Sequence, residues 1–376
     1  MTRTIIDLHI LQTVPPSNLN RDDTGSPKTA VYGGTRRARV SSQAWKRATR
    51  AAFGELIAEV DLGIRTKRVP SLIAAEIREL DATYDAEKSE ELASAALEKA
   101  GIKVTKPKPA KDGSVEPAET GYLLFLSRQQ VANLARIAVD ADKAGTDIEK
   151  SAAKAAADTG HSVDLALFGR MVADAPDLNV DATAQVAHAI SVHAVDNEYD
   201  YFTAVDDKAP EDNAGAGMIG TVEFNSSTLY RYATVNVDGL QAALGSADAT
   251  IAAVGAFVRA FVTSMPTGKQ NTFANRTLPE AVVVTVRDNQ SVNLVGAFEE
   301  AVVADASSGR LREASARLAD YATELDRAYA RQPIAGYVLR IGSSTEPLDA
   351  LGEEVTLDTL NGKLAAVVGD RIGASE

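Results

Sequence analysis

The densest chemistry in this chain is cationic. Between Thr24 and Gly54 stand seven basic residues (Lys28, Arg36, Arg37, Arg39, Lys46, Arg47 and Arg50) and no acidic one. The chain as a whole has 39 basic and 52 acidic residues and a formal net charge of −13, so this window carries +7 and the remainder −20. Like charges gathered this closely repel unless an anion neutralises them, and the acidic remainder keeps the rest of the surface off a polyanion. Ser41 or Ser42 offers an N-cap, and the spacing predicts a helix from Gln43 to about Ala58. On it Gln43, Lys46, Arg47 and Arg50 share a sector about 100° wide, opposite a core side of Trp45, Ala48, Ala52 and Leu56. The helix's free N–H groups and positive end face the preceding loop, where Gly33, Gly34 and Arg36 can cradle a phosphate. Ser41, Ser42 and Gln43 add neutral hydrogen bonds, which fix a backbone in register without reading bases. The segment from Pro15 to Arg50 thus predicts an RNA-binding architectural protein rather than an enzyme.

Other residues carry weaker signals. Tyr199, Tyr201 and Phe202 could stack on bases, but Asp196, Glu198 and Asp200 beside them disfavour phosphate, and hairpin packing explains them as well. Tyr230 and Tyr232 share one face of a strand, and Met171 suits a core. Lys269, Gln270 and Asn271 form a polar loop fitted to backbone contacts, whereas the lysines from Lys106 onward read as a linker. Gly215-Ala-Gly-Met-Ile-Gly220 matches the dinucleotide fingerprint by letter, but no strand precedes it and no helix follows, so no nicotinamide cofactor is expected. His9, His161, His188 and His193 lack metal-ligand spacing, and there is no cysteine, so no metal is expected. Asp22 and Asp23 are the only candidates for an RNA-cleaving base; capping a turn or pairing with Arg21 and Arg36 is the simpler reading.

The elements that position these groups follow from periodicity. Thr4 to Thr13 alternates Ile6, Leu8 and Ile10 with Asp7 and His9, the pattern of a half-buried strand. Prolines and glycines from Pro15 predict irregular chain to about Arg39. From roughly 60 to 181 the pattern is helical, for example over Leu72 to Leu80, Ser89 to Ala100 and Gly121 to Ala144. Strands follow at Val186 to Val195 and Thr228 to Val237, then a helix from Gly239 to Thr263 and a strand from Ala281 to Val286. The C-terminal third adds a helix from Arg310 to Ala330, a strand from Ile334 to Ile341 and a last helix. Strand, helix, strand, strand, helix, strand is the split βαβ order of ferredoxin-like and RNA-recognition folds, here an α+β chain with a helical insertion and an extended arm. No apolar run approaches the roughly 18 residues of a membrane span, and no signal peptide is visible, which favours the cytoplasm.

Several stretches resemble one family. Pro16-Ser-Asn-Leu-Asn-Arg-Asp-Asp-Thr-Gly, Lys28-Thr-Ala-Val-Tyr-Gly-Gly, Arg36-Arg-Ala-Arg-Val-Ser-Ser-Gln and Lys46-Arg are similar to the N-terminal signature of the CasC backbone subunit of the type I-E CRISPR Cascade. Gly169-Arg-Met, Ala187-His-Ala-Ile, Tyr201-Phe-Thr-Ala-Val-Asp-Asp and Tyr230-Arg-Tyr-Ala agree, while Thr35 and Trp45 depart. The resemblance implies a hand: an RNA-recognition-like palm (1–59, 182–195 and 226–376), helical fingers (60–181) and a β-hairpin thumb (196–225). It implies that copies stack along a CRISPR RNA, with Arg21, Lys28, Ser41, Gln43, Lys46 and Arg50 on phosphates and Met171, Phe202 and Thr203 around a displaced base. The guide then pairs with target DNA among other Cascade subunits, and a recruited helicase-nuclease does the cutting.

Overall fold

The computed structural model describes residues 3–105, 117–204, 218–303 and 309–373. In chain order they form β1 (Ile5–Ser17), β2 (Thr29–Tyr32), β3 (Thr35–Val40), α1 (Ser42–Ala52), β4 (Ile64–Thr66), α2 (Val69–Leu80), α3 (Ala86–Lys99), β5 (Val104–Thr105), β6 (Glu119–Thr120), β7 (Leu124–Leu126), α4 (Arg128–Ala144), α5 (Lys150–Asp158) and α6 (Val163–Phe168). There follow β8 (Ala184–Val186), β9 (Ala189–Ser191), β10 (Glu198–Ala204), β11 (Met218–Asn236), α7 (Val237–Leu244), α8 (Ala247–Thr263), α9 (Gln270–Phe273), β12 (Ala281–Arg287), α10 (Gly309–Tyr329), β13 (Ala335–Arg340), β14 (Glu353–Glu354) and α11 (Leu357–Gly373). The fold is α+β, as the element pattern predicts. Among the described residues no helix is long and apolar enough to cross a membrane.

The chain divides into two compact units. The first comprises 1–52, 185–237 and 254–376; the second comprises 53–184 and 238–253. The first is built on a mixed sheet of order β14-β13-β12-β1-β11-β9-β3-β2. β1 is antiparallel to both neighbours, with Leu8 opposite Ala233 on β11 and Val284 on β12. Its central place corrects the half-buried expectation: Asp7 and His9 are as buried as Ile6 and Leu8. The face carrying Leu11, Tyr230, Tyr232 and Val283 is closed by Phe298 and by Ala314, Leu318 and Ala322 of α10.

Polar groups so placed need partners. Asp7 accepts from the Tyr232 hydroxyl at 2.7 Å and the Val292 amide at 3.0 Å, and lies 3.5 Å from the Arg287 guanidinium, which also donates to Asp326 at 2.8 Å. His9 Nδ1 is 2.9 Å from the Tyr230 hydroxyl. On the opposite face Arg231 lies between the Trp45 and Phe261 rings, 3.7 and 4.5 Å from their centroids, and donates to Gln12 Oε1 at 2.7 Å. Burial lowers its guanidinium to about 9, so it keeps its proton at neutral pH.

The second unit packs α2, α3, α4 and α5 around Ile73, Ile77, Leu97, Leu134 and Ala138. Ser127 begins α4 with a reciprocal capping box to Gln130, both bonds 3.0 Å. Residues 124–126 form β7 rather than the first turn of the predicted helix, since Leu124, Phe125 and Leu126 are all buried and Leu126 pairs with Ile64. The helix predicted over Gly239 to Thr263 is two helices, parted where Gly245 adopts φ +66.

Burial, and after it Arg287, lowers His9 to about 3. A folded pKa below the ordinary 6.5 contributes stability that is present above pH 6.5 and lost as pH falls towards 3, at roughly 1.4 kcal/mol per unit. Asp7, raised chiefly by burial, acts with the opposite sign. The urea midpoint of His9→Gln should therefore fall less steeply than that of the natural protein between pH 6.5 and 4; equal slopes would show that His9 is not the group responsible.

Candidate nucleic-acid interface

The segment between β1 and α1 is ordered by its own side chains. Asp22 Oδ1 accepts from the Thr24 hydroxyl at 2.7 Å, the Thr24 amide at 2.9 Å and the Ser26 amide at 3.0 Å. These bonds, the hydroxyl foremost, hold its carboxyl below the usual range. A carboxylate committed in this way is a poor proton acceptor for catalysis. Asn20 joins the loop to the helix: its carbonyl accepts from the Lys28 amide at 2.8 Å and its Oδ1 from the Ser41 amide at 2.9 Å. Asn18 donates to the carbonyls of Gly25 and Glu223, and Ser26 to Glu223 Oε1, which ties the loop to the foot of β11.

The expected irregular chain after Lys28 is instead the β2–β3 hairpin. Gly33 and Gly34 turn it at φ +56 and +71, the double left-handed turn that matches strand twist. Alternation along β3 sends Arg36 to solvent and Arg37 inward. Arg37 is fully buried and donates to the carbonyls of Ser191, Phe298 and Glu299 at 3.0, 2.9 and 3.1 Å, so it leaves the set of cations open to an anion. A Cβ on Gly33 would collide with the Glu299 carbonyl oxygen, so close packing requires this glycine. Gly34 is exposed with open space around it.

Ser41 caps α1, its hydroxyl accepting from the Ala44 amide at 3.3 Å. Trp45 and Thr49 are the buried residues of the helix, while Gln43 and Arg47 are exposed and Lys46 and Arg50 half-buried. The helix ends at Ala52 and not near Ala58, and Leu56 is 40% exposed; Phe53 takes the core position instead, stacked on Phe168. The Lys269 loop meets this region at its base: a Cβ on Gly268 would strike the Leu19 carbonyl, and Phe273 packs on Phe224 with centroids 5.7 Å apart. Lys269 itself has φ 51, left-handed for a residue with a side chain, and Gln270 and Asn271 are exposed. Arg21 and Lys28, exposed and half-buried, complete the group.

The hairpin arm separates its aromatics by face. Phe202 pairs with Gly220 and lies over it, on the side of Asp200 and Val222; Tyr199, Tyr201, Thr203 and Ile219 occupy the other side. Phe202 and Thr203 therefore do not share a face. Met171 belongs to the second unit and is 80% exposed, turned out beside Arg170, whose buried guanidinium donates to the carbonyls of Leu178 and Ala157 at 2.8 and 3.0 Å. Gly215 and the Lys106 loop lie outside the described residues; Gly220 is in a strand.

Three residues of this region escape sequence reasoning: His188, Asn18 and Asn20. His188, between β8 and β9, is 3.3 Å from both the Ser42 amide and Arg39 Nη1. Along the chain it offers itself only as a metal ligand, and its spacing carries no sign of this meeting. The two asparagines stand in a motif that gives them no role.

A chain of a CRISPR RNA-guided surveillance complex in a pre-nicking state is 36% identical, with 97% of this chain and 100% of that one covered and a TM-score of 0.84. A chain of a second CRISPR RNA-guided surveillance complex is 30% identical over 96% and 99%, with a TM-score of 0.62. No curated protein matches. The model of the CT1975-like protein family matches residues 6–363, and the chain belongs to that family.

Because Phe202 lies on Gly220, Gly220→Ala should swing the ring away at little cost, within about 0.5 kcal/mol for an exposed hairpin. The Phe202 ring resonances, assigned with Phe202→Leu, should shift; unchanged resonances would disprove the packing.

Proposed function

We propose that this protein is a CRISPR RNA-binding backbone subunit of a Cascade-type surveillance complex, of the type I-E CasC kind, without catalysis of its own. The observation that carries the reading is the exposure of Arg36, Gln43 and Arg47, with Lys46 and Arg50 half-buried beside them, on one hairpin and helix of an otherwise acidic protein. Full-length similarity to chains of CRISPR RNA-guided surveillance complexes supports it. So does the strand order β12-β1-β11-β9, with α1 after β1 and α8 before β12, which suits an RNA-recognition-like palm.

On this reading Arg21, Lys28, Arg36, Ser41, Gln43, Lys46, Arg47 and Arg50, with Lys269, Gln270 and Asn271, hold the guide's phosphates. Gly33 and Gly34 shape the hairpin that presents them. Residues 60–181 act as fingers carrying Met171 and 196–225 as a thumb carrying Phe202 and Thr203 on its two faces, each a candidate for contact with a displaced base. Copies line up along the RNA in the cytoplasm with other Cascade subunits, leaving the guide free to pair with target DNA, and a recruited helicase-nuclease cuts.

The test is co-expression with a CRISPR array. The purified assembly should yield one discrete repeat-derived RNA, and Lys46→Glu with Arg50→Glu should abolish its recovery. In titrations with single-stranded RNA, removing any one cation that holds a phosphate should flatten the slope of log K against log salt by roughly 0.7. Undiminished recovery by the double variant would remove the site assignment.

A further inference from the structure

His188 has a fixed proton. Its Nδ1 lies 3.3 Å from the Ser42 amide and 3.3 Å from Arg39 Nη1. A backbone amide and a guanidinium can only donate, so Nδ1 must accept and the ring's one proton sits on Nε2. Among the described residues Nε2 has no partner, and the residue is exposed. Partial burial, and after it the charges that face the ring, Arg39 on β3 and Lys28 before β2, lower its pKa and favour the neutral form. The result is a rigid, uncharged donor where β3, the first turn of α1 and the β8–β9 connection meet.

We propose that His188 Nε2–H donates a hydrogen bond to a phosphate oxygen of the bound RNA, adding a neutral positioning contact to the cationic junction. This rests on the RNA-binding reading above. A further cation beside Lys28 and Arg39 would add repulsion to the empty protein, and a carboxylate would neutralise Arg39. An imidazole held neutral by the Ser42 amide adds direction without charge. Were His188 needed only to accept from Ser42, a residue with an oxygen at the Nδ1 position would serve equally.

That distinction supplies the experiment. His188→Asn keeps an acceptor oxygen where Nδ1 stands and has no donor where Nε2 stands; His188→Ala removes both. Binding of a labelled single-stranded RNA to the full-length chain, measured by anisotropy across a salt series, should weaken about 3- to 10-fold in His188→Asn, the worth of one neutral hydrogen bond. The slope against log salt should stay that of the natural protein, because no cation has been removed. In the natural protein the Nε2 nitrogen resonance of His188 should shift on RNA addition. Natural affinity in His188→Asn, or a slope flattened by about 0.7, would overturn the proposal while leaving the RNA-binding reading intact. Failure of the natural protein to bind RNA would overturn both.

Discussion

The guanidinium of Arg37 holds the proposed interface in place. Buried and donating to three backbone carbonyls, it joins β3 to Ser191 of β9 and to the turn ending at Phe298 and Glu299. A buried cation is costly unless its donors are met, and removing either side of such an arrangement is costlier still. The β2–β3 hairpin is short and would be marginal alone. Anchored by Arg37, and seated by Gly33 against Glu299, it becomes a fixed rim from which Arg36 projects. One cation is thus committed inside the protein to hold others at its surface.

In the same unit the proposed phosphate contacts fall at an edge of the sheet rather than on its face. In RNA-recognition folds the exposed sheet face carries the aromatics that stack on bases. Here the β11 aromatics Tyr230 and Tyr232 lie beneath Phe298 and α10, and their hydroxyls serve His9, Asn293 and Asp7. With that face closed, the loop after β1, the hairpin and the outer side of α1 are left as the cationic polar surface next to the sheet's β3 edge. These present cations and amides rather than ring faces, which suits the proposed hold on a backbone.

Much of this is legible in the sequence where one signal dominates. Alternation locates β1 and a β-branched run β12, and helical periodicity puts Trp45 inside α1 with Gln43 and Arg47 outside. What stays hidden depends on partners distant in sequence. The polar alternation of β1 suggests a solvent face, and only the pairing of Asp7 with Arg287 and Tyr232 makes it an interior one. Arg36 and Arg37 are the same residue type side by side, and nothing local tells which one Phe298 and Ser191 will bury. The glycines of the hairpin read along the chain as a phosphate cradle, whereas Gly33 answers to the Glu299 carbonyl. His188 is visible as a residue but not as a neighbour of Ser42.

The arm and the core share a strand. β11 runs unbroken from Met218 to Asn236, pairing first with β10 and then, from Asn225, with β1. A strand of that length spans roughly 60 Å. Arm and core therefore share one backbone, with the β1–β11 register shifting between Val14 and Ser17 where they meet. A load pulling on the hairpin runs parallel to the strand and is met in shear by the whole β1–β11 ladder at once, not peeled away bond by bond. The described part of the arm is thus cantilevered from a strand paired on both sides, and force applied along it is carried into the β1–β11 ladder.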